Sequence, residues 1–106
     1  MNSILKPTTR NIGTNDVPGS WGKHYYKTWE NMFNRCYSEM YHLSKPSYTE
    51  CTVDPRWHHL SAFKEWYESQ GDITGKQLDK DIISPNNKIY GPDTCIFVSP
   101  ELNLFF

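Results

Sequence analysis

The sequence predicts a small single-domain α+β fold, and three observations predict it. Two segments, 25–37 and 55–69, carry apolar residues at helical spacing. From residue 77 onward the pattern changes to strand, loop, strand and helix, a C-terminal ββα unit that would pack against those two helices. The chain has 106 residues, enough for one core and too few for two.

That core must be aromatic. Mean hydropathy is low, yet the chain holds four Trp, seven Tyr and five Phe. Each such ring buries about 150–250 Å², so a few of them build a core with little help from aliphatic residues. Eleven Lys and Arg nearly balance twelve Asp and Glu. A nonspecific nucleic-acid binder would be clearly basic. Any basic patch here must therefore be local, with the acids gathered elsewhere, as around a metal. No apolar run reaches the length of a membrane span, and Met1–Pro7 lacks the apolar centre of a signal peptide. The three cysteines, Cys36, Cys51 and Cys95, are an odd number, which excludes a complete disulfide framework. Reduced thiols in a cytoplasmic setting are the simpler expectation.

Taken in order, residues 1–22 read as an irregular arm with turns at Asn15-Asp16 and Pro18-Gly19, pinned to the core by Trp21. Residues 23–106 form the domain proper. In the first helix Tyr25, Trp29, Met32, Phe33 and Cys36 share one face, with Lys27, Glu30, Asn31 and Asn34 opposite. Residues 38–50, with Ser44, Pro46 and Ser47, read as a loop, and 51–53 as a short strand. Asp54 as N-cap and Pro55 at the first helical position open the second helix. Its stripe is Trp57, Leu60, Phe63, Trp66 and Tyr67, and Gly71 ends it. After a turn at Gly75, residues 77–83 read as a strand, 84–88 and 90–93 as loops, and 95–98 as a strand. Ser99-Pro100 starts a helix that runs to Phe106, where the chain end cuts it, so the chain reads as a shorter form of a longer protein.

Several strings in this order carry a resemblance. They are Leu78-Asp79-Lys80-Asp81-Ile82, Asn87-Lys88-Ile89-Tyr90, Pro92-Asp93-Thr94-Cys95-Ile96-Phe97-Val98 and Leu102-Asn103. Upstream of them stand Ile12-Gly13-Thr14-Asn15-Asp16, Tyr26, Trp29, Met32, Arg35-Cys36-Tyr37, Tyr48, Cys51, Val53, Trp57, Phe63 and Trp66. Together they resemble a family of phage and bacterial HNH-like proteins labelled HNH endonucleases, over nearly the whole chain. Family members often carry an Apetala-type DNA-binding module after this region, and this chain stops before it. The resemblance implies a metal-dependent DNA endonuclease in the cytoplasm of an infected host. In an HNH site a His ending the first strand is the general base, while an Asp and an Asn or His bind one divalent ion. Here the strand reads Asp79-Lys80-Asp81 without the His, and Thr94 stands where a structural Asn is expected. Asn103 matches the helix ligand.

Asp79 and Asp81, two apart on a strand, should share one face. With Asn103 they would hold Mg²⁺ or Mn²⁺ through hard oxygen ligands. Alternatively they are structural, one capping the amides of 86–88 and the other pairing with Lys80 or Lys88. Lys80 should point to the opposite face, toward a DNA phosphate or simply into water. Lys88 and Arg35 are further DNA-contacting candidates. The three cysteines read first as buried thiols. A structural zinc completed by Asp54, His42, His58 or His59 is the alternative. His58 or His59 would supply the missing base only if the second helix packs across the ββα unit. Arg56, Lys64, Lys23 and Lys27, near Trp21 and Tyr25, are scattered basic and aromatic positions. Two functions stay open on this reading: an HNH-like nuclease with Asp79, Asp81 and Asn103 at one ion, or a degenerate module that binds DNA or blocks a host protein.

Overall fold

A computed structural model describes residues 7–9, 12–81, 83 and 87–103, with backbone alone at 7–9, 102 and 103. In chain order the elements are β1 (Pro7–Thr9), β2 (Gly13–Thr14), α1 (His24–Tyr37), α2 (Glu39–Ser44), β3 (Thr52–Val53), α3 (Leu60–Glu68), β4 (Gln77–Asp79), β5 (Ile89–Tyr90), β6 (Ile96–Val98) and α4 (Pro100–Asn103). Single 3₁₀ turns occupy Pro46–Tyr48 and Pro55–Trp57. The α+β class stands, and no helix among the described residues is long and apolar enough to cross a membrane.

α1 packs on α3 and on β3. Its inward residues are Tyr26, Trp29, Met32, Phe33 and Cys36, all buried. The inward ring of the first turn is thus Tyr26, where the sequence pointed to Tyr25, which is half-buried. Trp57, Leu60 and Phe63 meet this face, with Trp57 4.9 Å from Phe63 and 4.8 Å from Trp66 between ring centres.

The single helix expected over 55–69 is broken, because its carbonyls are needed elsewhere. A continuous helix would hand the carbonyls of Trp57 and His58 to residues four further on. Instead Trp29 Nε1–H donates to the Trp57 carbonyl at 2.8 Å, and the Thr14 amide donates to the His58 carbonyl at 2.7 Å. The amide of Ser61 in turn donates to Asp16 at 2.8 Å, so a residue distant in sequence caps α3. The turn at Pro55–Trp57 has its expected cap, Asp54, which accepts from the Arg56 amide at 2.8 Å.

The same contacts order the described part of the segment expected as an irregular arm, residues 7–9 and 12–22. β1 and β2 pair antiparallel, Thr14 bridges His59, and Asn15 and Ser20 are buried and bonded to one another at 2.8 Å. They tie this segment down. Trp21 does not pin it from within: it is 75% exposed, with one ring contact to Tyr26. The loop expected at 38–50 is also more regular, since Ser38 caps α2 by accepting from the Tyr41 amide.

In the C-terminal third, β4 and β6 pair antiparallel, with Leu78 opposite Phe97 and Asp79 opposite Ile96. The expected strand over 77–83 ends at Asp79. β5 falls where loops were expected and pairs in parallel with β3, Thr52 opposite Ile89 and Val53 opposite Tyr90. The backbone just after it runs close to Asp54: a Cβ on Gly91 would lie 3.0 Å from the Asp54 Cβ, tighter than ordinary contact. Phe97 stacks on Trp66 at 5.6 Å, which fastens the β4–β6 pair to α3. α4 packs beside β4. The expected helix continues to 106, and residues 104–106 lie outside the described residues.

Candidate functional site

Where α1 faces the C-terminal strands the surface opens into a polar cleft of about 470 Å³. One wall is a stripe along α1: His24, Thr28, Asn31 and Arg35, spaced four, three and four residues apart, which keeps them on one helical face. The facing wall is the run from Lys76 to Asp81, with Tyr90 and Phe97 behind it. Tyr41 and Tyr48 close one side, edge to face at 5.5 Å.

Both predicted acids reach this cleft, but strand alternation does not place them. The strand ends at Asp79, which is buried and whose Oδ2 accepts the amide of Asp81 at 2.8 Å. This is the local turn that Asp side chains favour. It folds the chain back, so Lys80 does not point away from the acids. Its ammonium donates to both Asp81 oxygens at 3.1 and 3.0 Å. It also lies 5.1 Å from the Tyr48 ring centre and 5.8 Å from that of Tyr90. Burial works to lower the Lys80 pKa, but the bonds and charge of Asp81 together with the neighbouring Cys51 and Tyr48 outweigh it, and the value is raised. The alternative of a simply solvated Lys80 is therefore corrected: it is 7% exposed and paired with Asp81.

Arg35 enters the cleft from the last turn of α1, and its Nη1 meets the Tyr90 hydroxyl at 3.5 Å. Burial works to lower its pKa, the phenols of Tyr90, Tyr48 and Tyr41 offset that, and the group stays cationic. Lys88 is not on the cleft wall. It is exposed, and its ammonium reaches the Ser47 carbonyl at 3.2 Å. Asn103 is the last residue of α4, beside β4, and its side chain lies outside the described residues. The turn between β4 and β6 is tied by two side chains. Asn87 donates to the carbonyls of Lys80 and Ile89. Thr94 donates to that of Ile89 at 2.9 Å, so a hydroxyl does this work where an Asn was expected.

His58 is half-buried beside an exposed His59, and neither lines the cleft. Nε2 of His58 bonds the Val53 carbonyl at 2.9 Å, and Nε2 of His42 bonds that of Arg35 at 2.8 Å. The imidazole on the wall is His24, which the sequence reading missed. Its Nδ1 lies 2.7 Å from the Tyr67 hydroxyl. Thr28 already donates its hydroxyl hydrogen to the His24 carbonyl at 2.9 Å, so it can only accept from Nδ1. When Nδ1–H donates to the Tyr67 hydroxyl, Nε2 is left as an acceptor.

The three cysteines are free and each 2% exposed. Burial pushes the thiols of Cys36 and Cys95 up to about 12 and raises that of Cys51. They are packed as small apolar groups. Among the described residues no three His, Cys, Asp or Glu side chains gather as a metal cluster. Two of the scattered cations are spent on ion pairs: Arg56 with Asp54 and Asp93, and Lys64 with Glu68. Comparison of the chain with protein-family models, curated proteins and solved structures finds no match.

Proposed function

We propose that this protein is an HNH-like module that hydrolyses nucleic-acid phosphodiester bonds in the cleft with one divalent cation. The observation that carries the reading is the position of Asp79. It ends a strand that pairs antiparallel with β6 and packs beside the Asn103-bearing α4. It also faces a cleft that holds Arg35, Lys76 and Lys80.

The donor set suits Mg²⁺ or Mn²⁺. Such ions take one or two carboxylates, keep several waters and accept a substrate phosphate oxygen. Asp79 and Asp81, with Asn103, are the residues to hold the ion. When bound it supplies an acidified water and neutralises charge on the phosphate. The chain's own groups do the rest. Lys80 turns from Asp81 toward the incoming phosphate, Arg35 orients that phosphate, and His24 Nε2 takes a proton from water.

A second reading is favoured by a specific observation. Asp79 already accepts the Asp81 amide, and Asp81 is already paired through both oxygens with Lys80. A cleft so arranged binds without hydrolysing, either DNA or a host protein. Nicking of supercoiled plasmid with Mg²⁺ or Mn²⁺ decides. The nuclease reading expects nicking by the wild type. Asp79→Asn and His24→Gln should each lose about 10²-fold or more. No nicking with either ion, or undiminished nicking by Asp79→Asn, leaves the second reading in place.

A further inference from the structure

Two of the cations of the cleft, Arg35 and Lys80, are recessed, which limits what can reach them. Lys80 is 7% exposed. Arg35 is half-buried, and its one protein partner among the described residues is the Tyr90 hydroxyl at 3.5 Å. No carboxylate among the described residues pairs with it. The contrast with Arg56 is direct: that exposed guanidinium is held by two carboxylates. A guanidinium carries five N–H donors in a planar fork. Arg35 lines the cleft, and no anion among the described residues is paired with its fork. Three cations on the cleft wall, Arg35, Lys76 and Lys80, against two carboxylates, Asp79 and Asp81, leave one positive charge in excess.

The shape adds a second constraint. About 470 Å³ is far more than one phosphate needs, and lies in the range of roughly 300–1,000 Å³ that holds a small organic ligand. Tyr41 and Tyr48 are half-exposed at its rim. Duplex DNA carries its phosphates on a stiff convex ridge and keeps its bases stacked inside. A single strand bends, and its bases are free to lie on aromatic side chains.

We infer that the cleft seats one nucleotide of a single strand, its phosphate on the Arg35 fork and its base against Tyr41 and Tyr48, and that it rejects intact duplex. The inference rests on the cleft being a nucleic-acid site, and does not require that hydrolysis occurs there.

The test is fluorescence anisotropy with a short labelled oligothymidylate, alone or annealed to its complement, in EDTA at low salt. The single strand should bind at least about tenfold more tightly than the duplex. Arg35→Met should weaken strand binding by about 10–100-fold, with Arg35→Lys in between, since it keeps the charge and loses the fork. Tyr41→Leu should cost about 5–100-fold. Near-ultraviolet circular dichroism checks each fold, and Arg35→Lys carries the test if Arg35→Met does not fold. Thymidine monophosphate as competitor separates a strand site from a free-nucleotide site, and competition at the strand's own affinity overturns the assignment to a strand. Equal binding of duplex and single strand also overturns it, as does unchanged strand binding by folded Arg35 variants. With EDTA present no metal-dependent cleavage runs, so this result and the plasmid result fail separately. Strand binding without cleavage of that same strand when Mg²⁺ or Mn²⁺ replaces EDTA keeps the inference and removes the nuclease reading. Nicking without strand preference does the reverse.

Discussion

The core and the cleft are both built from rings, and the rings do opposite work. In the core, Trp29, Phe33, Trp57 and Phe63 are at most 1% exposed. The polar atom of Trp29 is satisfied internally, on the Trp57 carbonyl. In the cleft the Tyr90 hydroxyl meets Arg35, and the Tyr48 ring lies under the Lys80 ammonium. Core rings exclude water and fix two helices. Cleft rings shelter cations from water while leaving a path to them. The difference teaches that an aromatic-rich chain does not reveal from its ring count which rings hold the fold and which shape a site.

Breaking the core side should have the largest effect. Trp29→Ala removes a fully buried ring and its hydrogen bond, and should cost about 3–5 kcal/mol. That is a large part of the roughly 5–15 kcal/mol that holds a domain together. Tyr41→Leu on the cleft side should cost less than about 1 kcal/mol. Urea denaturation of both variants measures the contrast, and equal losses would erase it.

Alkaline pH sharpens the same boundary from the core side. The thiols of Cys36 and Cys95 are raised by burial from 9.0 to about 12. Both are acids that ionise first in the unfolded chain. Their contribution is therefore complete below pH 9.0 and falls as pH rises toward 12. The slope approaches about 1.4 kcal/mol per pH unit for each thiol. Cys51 and the phenols of Tyr26, Tyr37, Tyr67 and Tyr90 are raised as well, so the double variant, not the interval from pH 9 to 10 alone, isolates these two thiols. Thermal midpoints should fall there by roughly 2 kcal/mol equivalent. The fall should flatten in a Cys36→Ala, Cys95→Ala variant, and an unchanged slope in that variant would show another group responsible.

A smaller effect than that of the core ring lies on the cleft side, at Lys80 and Asp81. Asp81→Asn leaves a buried ammonium without its counter-charge. Because Asp81 is 32% exposed, the cost is discounted from the fully buried case to about 1–2 kcal/mol. Lys80→Met removes the charge that needs pairing and should cost less than Asp81→Asn. The reverse order in denaturation would mean that the ammonium is solvated.

The core side was largely legible in the sequence because burial there follows period. Trp29, Met32, Phe33 and Cys36 recur at helical spacing, as do Leu60 and Phe63. The break at His58-His59 was not legible, because it depends on Thr14 and Trp29 taking carbonyls from a distance. On the cleft side Asp79, Asp81 and Arg35 were found by residue type. The burial of Lys80 was missed, since strand alternation was assumed past Asp79, where an Asp side chain turns the backbone instead. The stripe His24, Thr28, Asn31 and Arg35 did carry a signal: four polar residues at the same period as the apolar face. It was passed over because polar helix faces usually meet only water.

The cleft draws its walls from α1, from the segment holding Tyr41 and Tyr48, and from the strands that end at Phe97. It exists only when all of them are assembled. Any molecule that fills it therefore shifts the balance between folded and unfolded chain by mass action, by about 2.7 kcal/mol at a hundred times its dissociation constant. That shift rivals the loss expected from any single side chain outside the aromatic core. The melting temperature of the intact protein thus reports occupancy of the cleft directly, whether or not any bond is broken there.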